Sequence, residues 1–263
     1  MQDARRTSIV ADFMNQLNHT PTSALLLDYD GTLAPFQTER DHAYPYPGVV
    51  PILDRIIRSG RTRVVVISGR PVHEVRVLLG SLNNLEIWGA HGLEHLLADG
   101  TYRQATIDSE ILTVLEKARR WAETKGFASL IETKPGGIAI HWRGLTDSEI
   151  EKTQALTQEE WSSFVGQPGL KLLRFDGGLE LRTSRPDKGD AVAAILKESD
   201  MMNAPVAFLG DDLTDEDAFQ ALEGRGLSVL VRPEYRETSA NAWLRPPHEL
   251  ISFLEQWLSS LSA

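Results

Sequence analysis

Runs of apolar residues that stop abruptly at polar or glycine positions recur in the first and last thirds of the chain, and between them the pattern shifts to strict alternation. Ala24-Leu25-Leu26-Leu27 ends in Asp28-Tyr29-Asp30-Gly31-Thr32 and Val64-Val65-Val66-Ile67 in Ser68-Gly69-Arg70, and Leu85-Glu86-Ile87-Trp88, interrupted by one acid, gives a third strand that ends in Gly89-Ala90-His91-Gly92. Runs without polar alternation suit parallel strands buried on both faces. Helical spacing separates them: Ile9, Phe13 and Leu17, then residues 49–59 closed by Gly60, then a helix from Pro71 to Leu79. Asp99-Gly100 signals a hairpin. Strand alternating with helix predicts a parallel α/β sheet up to this point.

From about residue 106 the signal differs. Ile107, Ile111, Leu115, Ala118 and Ala122 mark a helix, and residues 138–143 alternate with period two, as in a half-buried antiparallel sheet. A helix over 147–164 follows, and residues 170–175 and 179–183 flank Asp176-Gly177-Gly178 as a second hairpin. Near Pro186 the first regime returns, with a helix from Gly189, the run 205–210, a helix near Thr214, a strand over 226–231 and a last helix striped by Leu250, Leu254, Trp257, Leu258 and Leu261. The pattern therefore predicts a discontinuous α/β domain, residues 1–105 and 185–263, interrupted by an α+β domain over 106–184.

Composition narrows the function. The 263 residues carry 27 Lys and Arg against 37 Asp and Glu, a formal charge of −10, which disfavours nucleic acid or an anionic membrane as partner. Cysteine is absent, so disulfide, thiolate and Cys-ligated zinc chemistry are excluded. Neither a secretory leader nor a membrane-length apolar run is visible, and the expectation is a cytoplasmic monomer acting on a small molecule. No Gly-Lys dipeptide occurs, hence no Walker A loop.

The chemistry gathers at the carboxyl ends of the buried runs, where ligands of such sheets bind. Residues i and i+2 of an extended segment point the same way, so Asp28 and Asp30 can converge on one spot. Two like charges so close suit a hard divalent cation such as Mg2+, which commonly shares its shell with a substrate phosphate. Gly210-Asp211-Asp212-Leu213-Thr214-Asp215-Glu216-Asp217 places five acids in eight residues after another apolar run. Thr214 and Asp217 could cap a helix, which leaves Asp211 and Asp212 as metal candidates. Ser68 at a strand end before a helix favours a phosphate oxygen, although a turn serine has the same signature, and Lys188 on residue type alone is equally a solvated lysine.

Asp28-Tyr29-Asp30-Gly31-Thr32, Ser68, Lys188 and Gly210-Asp211-Asp212 resemble, in order, the four motifs of the haloacid dehalogenase (HAD) superfamily of phosphatases. More narrowly, residues 28–35, Ile67-Ser68-Gly69-Arg70, Gly89-Ala90-His91-Gly92, Glu132-Thr133-Lys134-Pro135 and residues 210–217 resemble the trehalose-6-phosphate phosphatase family, from about residue 22 to 258. The resemblance implies a Rossmann-like parallel-sheet HAD core with an inserted α+β cap domain of the C2 type. It implies Asp28 as nucleophile and Asp30 as general acid/base. Ser68, Gly69 and Lys188 would hold the phosphoryl group, and Asp28, Asp30 and Asp211 the Mg2+. It further implies sugar contacts from Glu132, Lys134 and Glu180, with Arg70 and His91 at the rim. His141 and Arg182 stay with a solvated sheet face. The implied substrate is a sugar phosphate, trehalose 6-phosphate first and glucosyl- or mannosylglycerate phosphate next. A metal-dependent glycosyltransferase would leave Ser68, Lys188 and the late acidic cluster unused, and a phosphate-accepting signalling module would not require Asp30 or a cap.

Overall fold

The computed structural model describes residues 2–37, 39–80, 82–166, 169–175 and 177–261, with side chains from Ser8 onward. The chain divides into two compact units, residues 1–103 with 188–263, and residues 104–187.

In the first unit, helix α1 (Gln2–Asn18) precedes β1 (Ser23–Leu27), α2 (Val49–Arg58), β2 (Thr62–Ile67), α3 (Val72–Leu79), β3 (Glu86–Gly89), β4 (Glu94–Leu96) and β5 (Tyr102–Gln104). The second unit contributes α4 (Ser109–Thr124), β6 (Ile131–Lys134), β7 (Gly137–His141), α5 (Asp147–Ser162), β8 (Leu170–Phe175) and β9 (Gly178–Thr183). The chain then returns to the first unit with α6 (Lys188–Leu196), β10 (Val206–Gly210), α7 (Glu216–Ala221), β11 (Leu227–Val231), β12 (Ala242–Leu244) and α8 (His248–Ser260).

The first unit is built on one sheet of order β12-β11-β10-β1-β2-β3-β4-β5. Its strands are parallel from β12 to β3, with Leu27 level with Val66 on one side and with Leu209 on the other. Period-two alternation explains why the apolar runs are unbroken. Leu25 and Leu27 face α2 and α8 through Leu53, Ile56, Leu254 and Trp257, while Ala24 and Leu26 face the opposite layer of Val192, Ile195 and Phe219. Leu25, Leu26 and Leu27 are fully buried, and each such side chain contributes about 1.5–3 kcal/mol relative to exposure. β1 lies at the centre and the connections leave it in opposite directions, toward β2 on one side and β10 on the other. Its carboxyl end is therefore the crevice where open α/β sheets bind ligands.

Two local expectations are corrected. The sheet does not stay parallel to the Asp99-Gly100 hairpin: Ala90, His91 and Gly92 take φ of 47°, 59° and 106°, and this left-handed reversal lays β4 antiparallel on β3. Nor do Thr214 and Asp217 form the cap. Asp212 and Asp215 make a reciprocal capping box around the short 3-10 turn Leu213–Asp215, so Asp212 serves the helix entry.

The second unit is a four-stranded antiparallel sheet of order β6-β7-β9-β8. One face, with Ile138, Ile140, Leu179 and Leu181, packs on α4 and α5 through Leu115, Ala118 and Trp161. Glu132, Lys134, Gly137, Ala139, His141, Glu180 and Arg182 alternate onto the other face. β8 and β9 pair as the expected hairpin, although Asp176 of its turn lies outside the described residues. Among the described residues no helix is long and apolar enough to cross a membrane.

Candidate active site

The buried run of β1 delivers Asp28 to the carboxyl end of the sheet, where its N–H is bound by the Leu209 carbonyl of β10 at 2.8 Å. Asp28 is 4% exposed. Lys188, the first residue of α6, reaches Asp28 Oδ1 at 2.5 Å and Asp215 Oδ1 at 2.6 Å. Asp215 is fully buried, and its other oxygen takes the backbone N–H groups of Asp211 at 2.9 Å and Asp212 at 3.0 Å. Asp28, Asp211 and Asp215 each offer an oxygen within 4.8 Å of the others.

Three carboxylates, two of them bonded to one ammonium and the third only 3.9 Å from the Arg232 guanidinium, leave negative charge uncompensated in a medium that penalises it. Burial pushes Asp28 up to about 7, against the pull of Lys188 and with a further push from Asp215. Burial, followed by Asp28 and Asp215, holds Asp211 well above the usual carboxylate range. Burial alone would lower the Lys188 ammonium, but Asp215 and Asp28 reverse that and keep it charged. Asp211 Oδ2 is buried and makes no hydrogen bond; the nearest cation, Arg232, stands 3.9 Å away. Hard oxygen donors, a deficit of positive charge and an unbonded buried carboxylate oxygen together fit a divalent metal ion. Gly31, with φ of 82°, closes the floor: a Cβ there would stand 2.2 Å from Asp211 Oδ2, so any side chain would displace that oxygen.

Asp30 takes no part in this cluster through its side chain. Arg70 binds it with two parallel hydrogen bonds, Nε to Oδ2 and Nη2 to Oδ1, both 2.7 Å long. Arg70 is 2% exposed and also reaches Glu74 at 3.2 Å, which in turn holds Arg40 at 3.3 Å. Its guanidinium is thus committed to Asp30 and Glu74. Ser68 follows β2, the strand beside β1, and its Oγ accepts the Arg70 N–H at 3.1 Å. Gly69 lies over the His91 ring, where a Cβ would come within 2.7 Å of Nε2, and the His91 N–H binds the Ser68 carbonyl. Gly69 is therefore required by the close approach of a histidine that itself sits in a left-handed conformation.

In the second unit Lys134 lies 3.2 Å from Glu180 Oε1 and 3.6 Å from Glu132 Oε2. His141 Nε2 meets Glu132 Oε2 at 2.6 Å, and Arg182 Nε stands 3.9 Å from Glu180 Oε2. His141 and Arg182 belong to this charged network. A solvated sheet face does not describe them.

The structure brings Asp28, Lys188 and Asp211 together, pairs Asp30 with Arg70 and Gly69 with His91, and gathers Glu132, Lys134 and Glu180 on one sheet face. Sequence reasoning counted Asp215 among the five acids of residues 210–217 and gave it no role of its own. It passed over Gly31 as the floor beneath Asp211.

Comparison with known proteins bears on the same residues. The family model described as trehalose-phosphatase matches residues 26–245, from within β1 to just past β12. A trehalose-phosphate phosphatase of Mycobacterium ulcerans is 30% identical over 255 residues, covering 92% of this chain; the chain spans 63% of that relative's length. Among solved structures, the C-terminal domain of the Candida albicans trehalose-6-phosphate phosphatase superposes with a TM-score of 0.83 at 21% identity, covering 95% of this chain and 96% of that one. A haloacid dehalogenase-like hydrolase from Bacillus subtilis superposes at 0.61 with 18% identity over 89% of this chain and 99% of the other. These likenesses identify the fold as a HAD-like α/β core with an additional antiparallel unit. With the family match running through every strand end that carries the cluster, the chain belongs to the trehalose-phosphatase family.

Proposed function

We propose that the chain is a Mg2+-dependent phosphatase that hydrolyses trehalose 6-phosphate to trehalose and phosphate through an aspartyl phosphate. The observation that carries this reading is the buried Asp28 at the centre of the sheet, bound to Lys188 and grouped with Asp211 and Asp215. An ionised carboxylate attacks phosphorus without an activating base. In the first step an Asp28 oxygen forms a bond to phosphorus while the bond to the sugar oxygen breaks, and Asp30 gives its proton to that departing oxygen. In the second step Asp30 takes a proton from water, the water oxygen bonds to phosphorus, and the bond to Asp28 breaks, which regenerates the enzyme. Lys188, Ser68 and the Gly69 N–H hold phosphoryl oxygens through both steps.

Asp28 and Asp211 would hold the metal ion with Asp215 beside them, and bound there it would offset the charge collected by nucleophile and phosphoryl group. The Asp30 carboxylate is tied to Arg70, and in this reading it carries the proton. The second unit acts as the cap, in which Glu132, Lys134 and Glu180 contact sugar hydroxyls.

The test is phosphate release from trehalose 6-phosphate, glucose 6-phosphate, and glucosyl- and mannosylglycerate phosphates, with Mg2+ and with excess chelator. Preferred hydrolysis of trehalose 6-phosphate that chelation abolishes is the expected result. Faster release from a glycerate ester would reassign the substrate, and full activity in chelator would refute the metal dependence.

A further inference from the structure

The loop between β11 and β12 places Arg236 against the backbone of the candidate metal ligand. Its Nε donates to the Asp211 carbonyl at 3.3 Å and its Nη2 to the Asp212 carbonyl at 2.7 Å. From the other side one oxygen of Asp215 accepts the N–H groups of the same two residues. A carboxylate and a guanidinium therefore clamp two successive residues through their donors and acceptors together. Arg236 is itself anchored: Nη1 binds Glu216 Oε1 and the Glu237 carbonyl. Glu216 is in turn held by Thr238 Oγ1 at 2.8 Å and the Ser239 N–H at 2.9 Å. A forked, planar guanidinium suits this task because two carbonyls at fixed separation match its donors, whereas an ammonium offers a single point.

The clamp matters because Asp211 Oδ2 is buried and makes no hydrogen bond of its own. Arg232 Nη1 stands 3.9 Å from that oxygen and donates to the Asp211 carbonyl at 3.4 Å, so no hydrogen bond fixes the oxygen itself and the direction of the carboxylate follows mainly from the backbone that carries it. We infer that Arg236 is a positioning residue for the metal site, acting through the Asp211 and Asp212 carbonyls to hold the Asp211 carboxylate toward Asp28. The inference rests on the metal-binding reading of Asp211 given above.

Charge and positioning predict opposite signs here. Removing a cation that is hydrogen-bonded to the backbone of a metal ligand should by Coulomb's law tighten the binding of a divalent ion, whereas losing the clamp should loosen it. Mn2+ binding is measured by electron paramagnetic resonance, without substrate, on wild type, Asp211→Asn, Arg236→Gln and Arg236→Lys, with folding of each checked by circular dichroism. Asp211→Asn should lose binding. Arg236→Gln should weaken affinity by about tenfold or more, the usual cost of losing a partner that orients a ligand. Arg236→Lys should weaken it too, because the charge is kept and the fork is lost. Equal or tighter binding in both Arg236 variants, with Asp211→Asn still deficient, overturns the inference and leaves the metal site standing. Unchanged binding in Asp211→Asn overturns the metal reading and the inference with it. If Arg236→Gln does not fold, the lysine variant decides alone: affinity equal to wild type refutes positioning.

Discussion

Arg70 grips Asp30 by both carboxylate oxygens at 2.7 Å, so the arginine expected at the rim of a sugar site is also bound to the neighbouring acid. The pair is buried on the arginine side, and Glu74 and Arg40 extend it into a chain of alternating charge. Bidentate geometry gives direction as well as strength.

If Asp30 delivers a proton to the leaving oxygen, Arg70→Ala should slow the hydrolysis of a sugar phosphate by about a hundredfold, the scale on which misplacing a reacting group by an ångström is felt. An aryl phosphate, whose leaving group departs without a proton, should lose far less. The ratio of the two rates, measured on one preparation, is the readout. Parallel loss on both substrates would mean that Arg70 supports folding or the phosphoryl group and does not aim Asp30.

Asp28→Asn should abolish turnover and covalent phosphoenzyme, because an amide cannot act as the anionic nucleophile. Asp30→Asn should retain the capacity to be phosphorylated by an activated aryl phosphate while losing about two to four orders of magnitude on the sugar ester. Acid-quenched labelling separates the two variants. Equal and modest losses in both would defeat the assignment of their roles.

The parts of this arrangement that depend on one stretch of chain were legible in the sequence, and the parts that depend on distance were not. Leu25 to Leu27 announced a doubly buried strand because three apolar residues in a row leave no face for water, and Asp28 then had to stand at its end. The interruption by a second unit was visible because residues 138–143 change period. Asp215 was hidden because an acid in the first turn of a helix is ordinary there, and nothing local reveals that Lys188 lies 2.6 Å away. The bond between Arg70 and Asp30 spans forty residues, and the reversal at Ala90 and His91 uses left-handed conformations that non-glycine residues seldom adopt. Sequence pattern has no signal for either.

Glu86 supplies a test of stability away from the chemistry. Burial would raise its pKa, but hydrogen bonds from His95 and Arg63 outweigh that and bring it down to about 2. A carboxylate depressed in the folded state adds stability above its ordinary pKa near 4.5, and that stability is lost as the pH falls from there toward 2. A shift of that size corresponds to on the order of 3 kcal/mol. Urea unfolding of the wild type between pH 6 and pH 3 should show stability falling with acid, and Glu86→Gln should be less stable at pH 6 with a flatter profile over that window. A variant as stable as wild type at pH 6 would show that the Arg63 and His95 contacts contribute nothing net.

Chemistry and specificity should separate in the second unit, where Glu132, Lys134 and Glu180 share one face of the sheet and are bound to one another. Gly137 and Ala139, both small, lie between them on β7, and Glu180 Oε1 lies close over Gly137. Charged groups around a small-residue floor suit the hydroxyls of a sugar ring, each contact to a charged group being worth about 1.5–3 kcal/mol. Truncating any one of the three to alanine should therefore lower kcat/KM for trehalose 6-phosphate by about tenfold or more. Hydrolysis of an aryl phosphate should scarcely change, since that substrate has no sugar to contact. Lys134→Ala carries an extra consequence, because it leaves Glu132 and Glu180 without the ammonium that now lies between them. Its loss on the sugar substrate should exceed that of either glutamate variant, and Lys134→Met, which keeps the length without the charge, should behave like alanine. If all three substitutions depress sugar and aryl phosphates alike, these residues hold the unit together and the sugar is recognised elsewhere.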